Sequence, residues 1–540
     1  MLRFLFLFSA IFLALAWLSP DHYTPWLTFS SEMFTYASMF CLLAVYIERP
    51  LQCPKFQLLW LGIVSIPFVQ WCFGVELYFS KALLSTCYLL GFGVAVVLGY
   101  NLARDYSKAR ILTQLSLVMC AVAVLSCCIA WIQWLDLEGN LWGIMQLKGN
   151  RPYSNFAQPN NFATFLLMSL FATWYLFEKR VLSTLLTMIA ASCIIFTIAL
   201  TQSRTPWIAC IVLTAYILYK YKHDHYRLKY WHLALWLSAY IGSLLCLPFL
   251  NGWLVHLGLS QAQMVDVVQR ASSSHSRFGI WAQMLYAIRE QPWLGYGWNQ
   301  TSIAQLVGAD FIVHSERTNS AHNLILELFI WNGIPLGLAI IVYFSYWLFK
   351  LNQVVCCKEN LIVALMVLSV MIHAMLEFPQ NYAYFLFPSA FLLGMIQSDF
   401  IGQKVVLIHS WLSTVFLVFC ILLYGLIWRD YIVAVDELSV ARKHAEVGLN
   451  QAPKSEIILL TEYKARATWY ALDRFSTLSP VQLQQFRDAV DVSPTEYDLY
   501  KYAQLLAFNG QQRKAVHQLE LIKGLYRVEY TVDQLEKRPE

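Results

Sequence analysis

Long apolar segments alternate with short polar connections through residues 1–430 of the chain. An α-helix needs about 20 consecutive apolar residues to cross a bilayer. Segments near this length occur at about 2–18, 31–47, 56–74, 82–100, 111–135, 161–178, 182–201, 206–220, 232–250, 324–350, 360–377, 382–398 and 405–428. The pattern predicts an all-α polytopic membrane protein with about 12 to 13 transmembrane helices.

Two polar regions depart from this pattern. The first runs from Asn251 to Ala321, and connections of this length are usually functional. The second begins at Asp430, where charged residues become frequent. We therefore predict a transmembrane domain over residues 1–429, which includes the loop 251–321, and a soluble helical tail over residues 430–540.

The tail contains a short helical signature. Residues 498–526 have the amphipathic pattern of two helices around Gly510. This pair resembles one tetratricopeptide-like unit. A helical tail that only packs on the membrane domain fits the pattern equally well.

The first 20 residues have some features of a secretory signal peptide, namely Arg3, an apolar stretch and the small residues Ala14 and Ala16. Many further spans follow this segment. The pattern therefore favours an uncleaved first membrane helix.

Basic residues indicate the orientation of the spans. Counted in order, the lysines and arginines of the short connections fall on one side, in the segments 49–55, 104–110, 179–180, 220–229 and 350–358. Cytoplasmic loops are enriched in these residues, so that side is predicted to face the cytoplasm. The segments 136–160, 202–206 and 251–321, the turn near Pro379 and the tail would then lie on the opposite, outer face.

Composition narrows the class of protein further. Hydrophobic residues make up 58% of the chain and charged residues 13%, against about 25% charged in soluble domains. The net charge of +5 is not concentrated in a basic cluster, so nucleic-acid binding is not expected. Nearly all 13 cysteines lie in apolar runs and are interpreted as small buried hydrophobes, since no Cys/His spacing resembles a zinc site.

Nucleotide-dependent chemistry is also disfavoured. The sequence contains no P-loop and no glycine-rich dinucleotide motif. Its functional-looking segments are predicted on the outer face, where nucleotide sugars are scarce. A bond-forming reaction there would need a pre-activated, lipid-borne donor. We expect no cofactor.

A cluster of polar residues closes the segment 136–160. It contains Arg151, Gln158, Asn160 and Asn161. One asparagine could cap the helix that follows, but a cap does not require the others. We therefore interpret the group as a substrate-binding site.

Two arginines are candidates for binding an anion. Arg204 lies in a Gln-Ser-Arg sequence between two spans, where an unpaired charge is costly unless it faces water. Arg277 lies between the serine run 272–274 and an amphipathic helix in the large loop. A guanidinium fork matches phosphate oxygens, although a snorkelling or solvated arginine is the alternative for each.

His322 and Asn323 end the large loop and begin a predicted span. A neutral imidazole at this position can accept a proton, so His322 is a candidate base and Asn323 a candidate binding residue. The alternative for His322 is an interfacial residue that only bonds backbone. Glu327 is a weaker candidate.

The last motif joins two later spans and includes His373, Glu377, Tyr382 and Tyr384. His373 and Glu377 are spaced i, i+4 and are predicted to share one helical face. Ionisable groups in a membrane helix are usually functional. A structural pair that braces the turn at Pro379 is the alternative.

Together these motifs resemble the bacterial O-antigen ligase and polymerase superfamily, and within it the O-linked protein oligosaccharyltransferases of the PglL type. The shared motifs are Gln202-Ser203-Arg204, Arg277-x-x-x-Trp281, Pro292-x-x-Gly295-x-Gly297 and His322-Asn323. Two further segments resemble the protein-glycosylating branch, at 158–164 and 373–385. Asn161 departs from the histidine that is usual in such proteins.

The resemblance implies a GT-C-like glycosyltransferase in the inner membrane. Its donor would be an oligosaccharide on undecaprenyl pyrophosphate, and its acceptor a Ser or Thr hydroxyl of an exported protein such as a pilin. His322, Arg204 and Arg277 would be catalytic, and the remaining candidates would bind substrate without a metal. An O-antigen ligase, a polymerase and a flippase that performs no chemistry are the alternatives.

Overall fold

The computed structural model describes residues 2–139, 141–220, 226–259, 276–447 and 456–535. The serine run 272–274, which precedes Arg277 in the predicted anion site, lies outside the described residues. So does part of the predicted cytoplasmic segment 220–229.

The described chain is mainly helical. Helices of residues 2–256 are α1 Leu2–Leu18, α2 Phe29–Leu43, α3 Trp60–Cys72, α4 Phe79–Asp105, α5 Lys108–Trp134, α6 Pro159–Glu178, α7 Thr184–Leu200, α8 Thr205–Lys220 and α9 Tyr230–His256. The following helices are α10 Ser276–Glu290, α11 Thr301–Ala309, α12 Leu324–Gln353, α13 Lys358–Ala374, α14 Ala383–Gln397 and α15 Ser410–Val447. The tail contains α16 Thr461–Ala471, α17 Pro480–Asp491, α18 Glu496–Phe508 and α19 Gln512–Tyr526.

Short elements complete the description. Strands β1 Leu51–Pro54 and β2 Val405–Ile408 pair antiparallel, with Leu51 opposite Ile408. Single 3₁₀ turns occur at Ala44–Tyr46, Lys55–Leu59, Pro379–Asn381 and Val532–Gln534.

The helices agree with the predicted all-α, multi-pass membrane class. Among the described residues, five helices are long and apolar enough to cross a membrane: Phe79–Asp105, Lys108–Trp134, Tyr230–His256, Leu324–Gln353 and Ser410–Lys443. Shorter apolar helices are Leu2–Leu18, Thr184–Leu200, Thr205–Lys220 and Ala383–Gln397. The figure of about 12 to 13 crossings stays a prediction.

The chain forms two compact units. Unit 1 consists of residues 1–60, 90–273 and 345–420, and unit 2 of residues 61–89, 274–344 and 421–540. The predicted domain boundary at Asp430 falls inside the continuous helix α15. The division into domains 1–429 and 430–540 therefore stays a prediction.

Helix α6 lies in the centre of unit 1. Nearly every side chain from Asn161 to Glu178 is buried, and α6 packs against α5, α7 and α13. Small residues such as Ala163, Ser169 and Ala172 allow this close helix packing. The start of α6 is consequently fixed, and this start carries the polar residues from Gln158 to Asn161.

In unit 2, a glycine-rich turn packs into a break in α12. Gly333 has φ +70° and interrupts the helix, which leaves the Ile330 carbonyl and the Ile334 amide without helical partners. The Tyr296 amide donates to the Ile330 carbonyl at 2.7 Å, and the Ile334 amide donates to the Pro292 carbonyl at 2.7 Å. The Pro292-x-x-Gly295-x-Gly297 motif is therefore explained by this backbone pairing.

Gly295→Ala is expected to destabilise the folded protein by at least about 2 kcal/mol. Gly295 has φ +69°, and an added Cβ would lie 2.5 Å from the Ile330 carbonyl oxygen. The melting temperature of the purified protein measures the effect. Gly242→Ala is the matched control, because a Cβ there meets no atom within 4 Å; equal melting temperatures for the two variants would contradict the explanation.

The tail helices of unit 2 share one apolar core. Trp469, Leu499, Leu505 and Ile522 are fully or almost fully buried in it. Gly510, with φ +74°, connects α18 to α19. The core gives this part of unit 2 its own source of stability.

Candidate active site

The residues that the sequence singles out are distributed over both units. Unit 1 contains Arg151, Gln158, Asn160, Asn161, Arg204, His373, Glu377, Tyr382 and Tyr384. Unit 2 contains Arg277, His322 and Asn323.

Asn160 is the centre of a polar cluster in unit 1. Its amide oxygen accepts from the Ser203 hydroxyl at 2.7 Å and from Nη2 of Arg151 at 3.3 Å. Its amide nitrogen donates to Oε1 of Glu377 at 3.1 Å, and Nε2 of Gln158 donates to Oε2 of Glu377 at 3.4 Å. These five residues are called the Glu377 cluster. In this cluster, the side-chain amide of Asn160 bonds to both the Arg151 guanidinium and the Glu377 carboxylate.

The expected asparagine cap of α6 is wrong. The residue at the N-cap is Gln158, and its side chain makes no capping hydrogen bond. Pro159 takes the first helical position, which proline favours, so Asn160 and Asn161 lie inside the first turn. Their side chains bond to other segments of unit 1 instead.

The Glu377 amide donates to the His373 carbonyl at 2.8 Å, as the i, i+4 spacing implies, but both side chains have partners in another segment. Helix α13 ends at Ala374, so Glu377 lies beyond the helix and turns towards Asn160. His373 is fully buried, and its Nδ1 lies 2.9 Å from the Thr164 hydroxyl of α6. His373 and Glu377 are thus each bonded to α6, and the alternative in which the pair braces the Pro379 turn stays untested.

The two tyrosines of the same motif follow the turn. Tyr382 and Tyr384 stack with ring centroids 5.3 Å apart. Nδ2 of Asn161 donates to the Tyr384 hydroxyl at 3.5 Å, a long hydrogen bond. Asn161, which departs from the usual histidine, thereby connects the start of α6 to the start of α14.

Sequence reasoning missed Glu32 in this neighbourhood. It is 1% exposed, accepts from the Ala383 amide at 2.8 Å and from the Thr28 hydroxyl at 3.1 Å. Glu32 therefore fixes the start of α14, next to Tyr384. The available signal was an acidic residue within an apolar span.

Arg204 is half-buried and directly precedes α8. Its neighbour Gln202 has φ +48°, an uncommon conformation for a side chain of this kind. The Thr201 carbonyl accepts from Nε of Arg151 at 2.8 Å. Through Thr201 and Ser203, the Gln-Ser-Arg motif is thus tied to the Glu377 cluster.

In unit 2, the segment 318–323 forms a tight structure that is called the His322 turn. His322 is half-buried and has φ +53°; such outliers cluster at functional sites. Its amide donates to the Ser320 hydroxyl at 3.0 Å, and its Nε2 lies 3.4 Å from the Thr318 hydroxyl oxygen. Asn323 accepts from the amides of Ile325 and Leu326 and so caps α12.

Helix α10 connects Arg277 to the His322 turn. Nε1 of Trp281 donates to the Ala321 carbonyl at 2.9 Å. Arg277 lies one turn earlier on α10, so both side chains project from the same helical face. The half-buried Arg277 is therefore carried on the face of α10 that contacts the His322 turn.

Two buried glutamines that the sequence did not single out shape the same region. Nε2 of Gln283 donates to the Ile312 carbonyl at 2.9 Å. Gln305 accepts from the Thr318 amide at 2.8 Å and donates to the Glu316 carbonyl at 2.7 Å. Their side-chain amides supply hydrogen bonds that the backbone leading to His322 would otherwise form in regular secondary structure.

The tail contributes a further contact within unit 2. Leu306 of α11 packs with Leu521 and Leu525 of α19. At the end of α11, Asp310 lies 2.7 Å from Nε2 of His517 and raises the pKa of that imidazole through their hydrogen bond. The helix α11 that leads to the His322 turn is thus packed against the tail.

Each constellation fits part of a group-transfer reaction. The His322 turn presents an imidazole that can accept a proton, and α10 brings a guanidinium that can bind an anion. The Glu377 cluster offers both donors and acceptors to a polar substrate. Among the described residues, no group of three His, Cys, Asp or Glu side chains could hold a metal ion.

Three known families match parts of the chain. A family described as O-antigen ligase matches residues 189–342, and one described as protein glycosylation ligase matches residues 152–177. A third, described as the C-terminal part of a virulence factor membrane-bound polymerase, matches residues 361–538. The matched ranges together include Gln158, Asn160, Ser203 and Glu377 of the Glu377 cluster, the His322 turn and nearly all of the tail.

Two relatives from Acinetobacter baylyi are similar over nearly their whole length. A general O-oligosaccharyltransferase is 41% identical and covers 99% of this chain and 95% of the relative. A ComP-specific O-oligosaccharyltransferase is 28% identical, over 95% of this chain and 93% of the relative. The fold and the site define a multi-pass membrane glycosyltransferase. The chain belongs to the PglL-type O-oligosaccharyltransferases of the O-antigen ligase superfamily.

Proposed function

We propose that the protein transfers a preassembled oligosaccharide from undecaprenyl pyrophosphate to Ser or Thr hydroxyls of exported proteins such as pilins. The reaction takes place at the periplasmic face of the bacterial inner membrane. The observation that carries the proposal is the His322 turn. In this turn the half-buried His322 has a left-handed backbone conformation, and the turn contacts the helix that carries Arg277. The basic residues of the short loops support the orientation.

The proposed reaction is a direct displacement without a metal ion. The acceptor oxygen forms a bond to the anomeric carbon, and the bond from that carbon to the pyrophosphate oxygen breaks. His322 orients the hydroxyl and accepts its proton. Arg277 binds the pyrophosphate and stabilises its charge as undecaprenyl pyrophosphate leaves, and Arg204 is assigned the same role in unit 1.

The Glu377 cluster is assigned to substrate recognition. Hydroxyl-rich sugars and phosphates need neighbouring donors and acceptors, and Arg151, Asn160 and Glu377 supply both. Gln158, Asn161, His373, Tyr382 and Tyr384 complete the proposed binding surface, and Asn323 supports the His322 turn.

Glu377→Gln is expected to lower the transfer rate about tenfold, because hydrogen bonds to a charged group contribute about 1.5 kcal/mol or more. Quantitative mass spectrometry of glycosylated acceptor measures the rate. Glu359→Gln is the matched control at the opposite end of α13, where the carboxylate pairs with Lys179. Unchanged transfer in the Glu377 variant would remove this carboxylate from the proposed site.

A gene deletion distinguishes the proposed function from that of an O-antigen ligase, which would transfer a similar donor to lipid A core. Lipopolysaccharide banding and the masses of exported glycoproteins are compared with the wild type. Loss of glycoproteins with intact lipopolysaccharide supports the proposal. Loss of O-antigen with intact glycoproteins would select the ligase.

A further inference from the structure

The carboxylate of Glu327 is completely buried in unit 2, in the first turn of α12. It accepts three hydrogen bonds: from the Ser320 hydroxyl at 2.5 Å, the Ala321 amide at 2.7 Å and the Thr301 hydroxyl at 2.5 Å. A buried carboxylate is costly unless such donors surround it. The arrangement therefore holds only while these three donors keep their positions.

Two of the three donors belong to the His322 turn. The Ser320 hydroxyl that donates to Glu327 also accepts the amide of His322, and the Ala321 amide lies one residue before it. The carboxylate is thus connected to the backbone on the N-terminal side of His322 through two separate hydrogen bonds. The left-handed conformation of His322, φ +53°, is opposed by sterics, and these bonds offset its cost.

The third donor fixes the carboxylate itself. Thr301 lies at the start of α11, and its hydroxyl oxygen also accepts Nε1 of Trp331 at 2.9 Å. Both Thr301 and Trp331 are buried. Glu327 therefore connects two helices of unit 2 to the turn.

We infer that Glu327 is a positioning residue that sets the conformation of the His322 turn and so directs the imidazole of His322. This inference rests on the role proposed above for His322. Glu327 is assigned no proton transfer from the acceptor, because its carboxylate is completely buried among protein donors. Its contribution is to the geometry in which His322 meets the hydroxyl, where small displacements cost large factors in rate.

Glu327→Gln and Glu327→Ala separate positioning from acid–base chemistry. A glutamine oxygen can still accept from Ser320 and Ala321, and its amide can donate to Thr301. We expect Glu327→Gln to keep kcat within about threefold of the wild type, and Glu327→Ala to lower kcat by about 30-fold or more with little change in the donor KM. The assay uses full-length purified protein, lipid-linked oligosaccharide extracted from host membranes and an acceptor identified by the gene deletion.

Asn332→Ala is the matched control. Asn332 is also buried on α12, but its amide donates to the Leu328 carbonyl of the same helix. The Asn332→Ala substitution removes a buried polar group of similar size, and it is expected to leave kcat near the wild-type value. Ser320→Ala combined with Glu327→Ala is expected to lower kcat by less than the product of the single effects, because the two residues act through one hydrogen bond.

Hydrogen exchange of the amides in 318–323 gives a readout that is independent of activity. Exchange is expected to rise in Glu327→Ala and to stay unchanged in Asn332→Ala. If Glu327→Gln were as inactive as Glu327→Ala, this result would overturn the positioning role in favour of proton transfer by Glu327. A wild-type kcat per folded molecule in Glu327→Ala would overturn it in favour of a purely structural role.

The same assay separates this inference from the proposed function. Wild-type kcat in a His322→Ala variant would contradict the proposed role of His322. Loss of transfer in His322→Ala, together with wild-type kcat and exchange in Glu327→Ala, would contradict only the inference about Glu327.

Discussion

His322→Ala is expected to lower the rate of oligosaccharide transfer by about 100- to 10,000-fold, the range typical for losing a general base. The acceptor hydroxyl would then attack the anomeric carbon without a group to orient it or take its proton. The measurement is single-turnover transfer by purified protein with saturating lipid-linked donor. Under these conditions the chemical step is observed without the influence of product release.

The His322 variant needs a control for folding, because the residue holds a left-handed conformation. His314→Gln is this control. It changes another half-buried histidine of the same loop, and that histidine lies against α10 near Gly279. Both variants should insert in the membrane in equal amounts and elute as the wild type does. Transfer at the wild-type rate by His322→Ala would refute the role proposed for the imidazole.

Asp498→Ala is expected to destabilise the tail by about 3–5 kcal/mol, the usual effect of removing one partner of a buried ion pair. Asp498 is 1% exposed. Its carboxylate accepts from Nη2 of Arg466 at 3.2 Å, from Nε1 of Trp469 at 2.8 Å and from the Thr495 hydroxyl at 2.6 Å. Its removal leaves the buried guanidinium of Arg466 without this counter-ion.

Protease sensitivity of the tail as a function of temperature measures this effect in the full-length protein. Cleavage between α16 and α19 should begin at least about 10 °C lower in Asp498→Ala. Glu529→Ala removes a carboxylate from an exposed pair with Lys523, and such pairs often contribute nothing measurable. Equal cleavage profiles for the two variants would show that the Arg466–Asp498 pair does not stabilise the tail.

Sequence motifs singled out the candidate residues, but spacing along the sequence did not predict their hydrogen-bond partners. Arg151, Gln158 and Asn160, which lie within ten residues of one another, do belong to one hydrogen-bonded cluster, and their role in binding stays a prediction. Glu377 was assigned to His373, but α13 ends at Ala374 and the carboxylate bonds to Asn160, more than 200 positions away. Periodicity along a helix cannot reveal where that helix ends.

Glu327 illustrates the same limit. From its spacing alone it was a weak candidate for chemistry near His322. In the folded protein its carboxylate is buried and accepts three hydrogen bonds, two of them from the His322 turn, which is the basis of the positioning role inferred above. The sequence could not distinguish these roles, because they depend on Thr301 and on the path of the backbone between 301 and 320.

The sequence by itself determined the helical, multi-pass class, since crossing a bilayer requires long continuous apolar segments that are visible residue by residue. It also singled out the short motifs that are candidates for chemistry and the family that they resemble. Tertiary structure alone decided the hydrogen-bond partners of Asn160, His373, Glu377 and Glu327. Several of those partners come from distant segments, such as Thr301 for Glu327 and Glu377 for Asn160, because buried polar groups need a hydrogen-bond partner and only the fold brings these segments together.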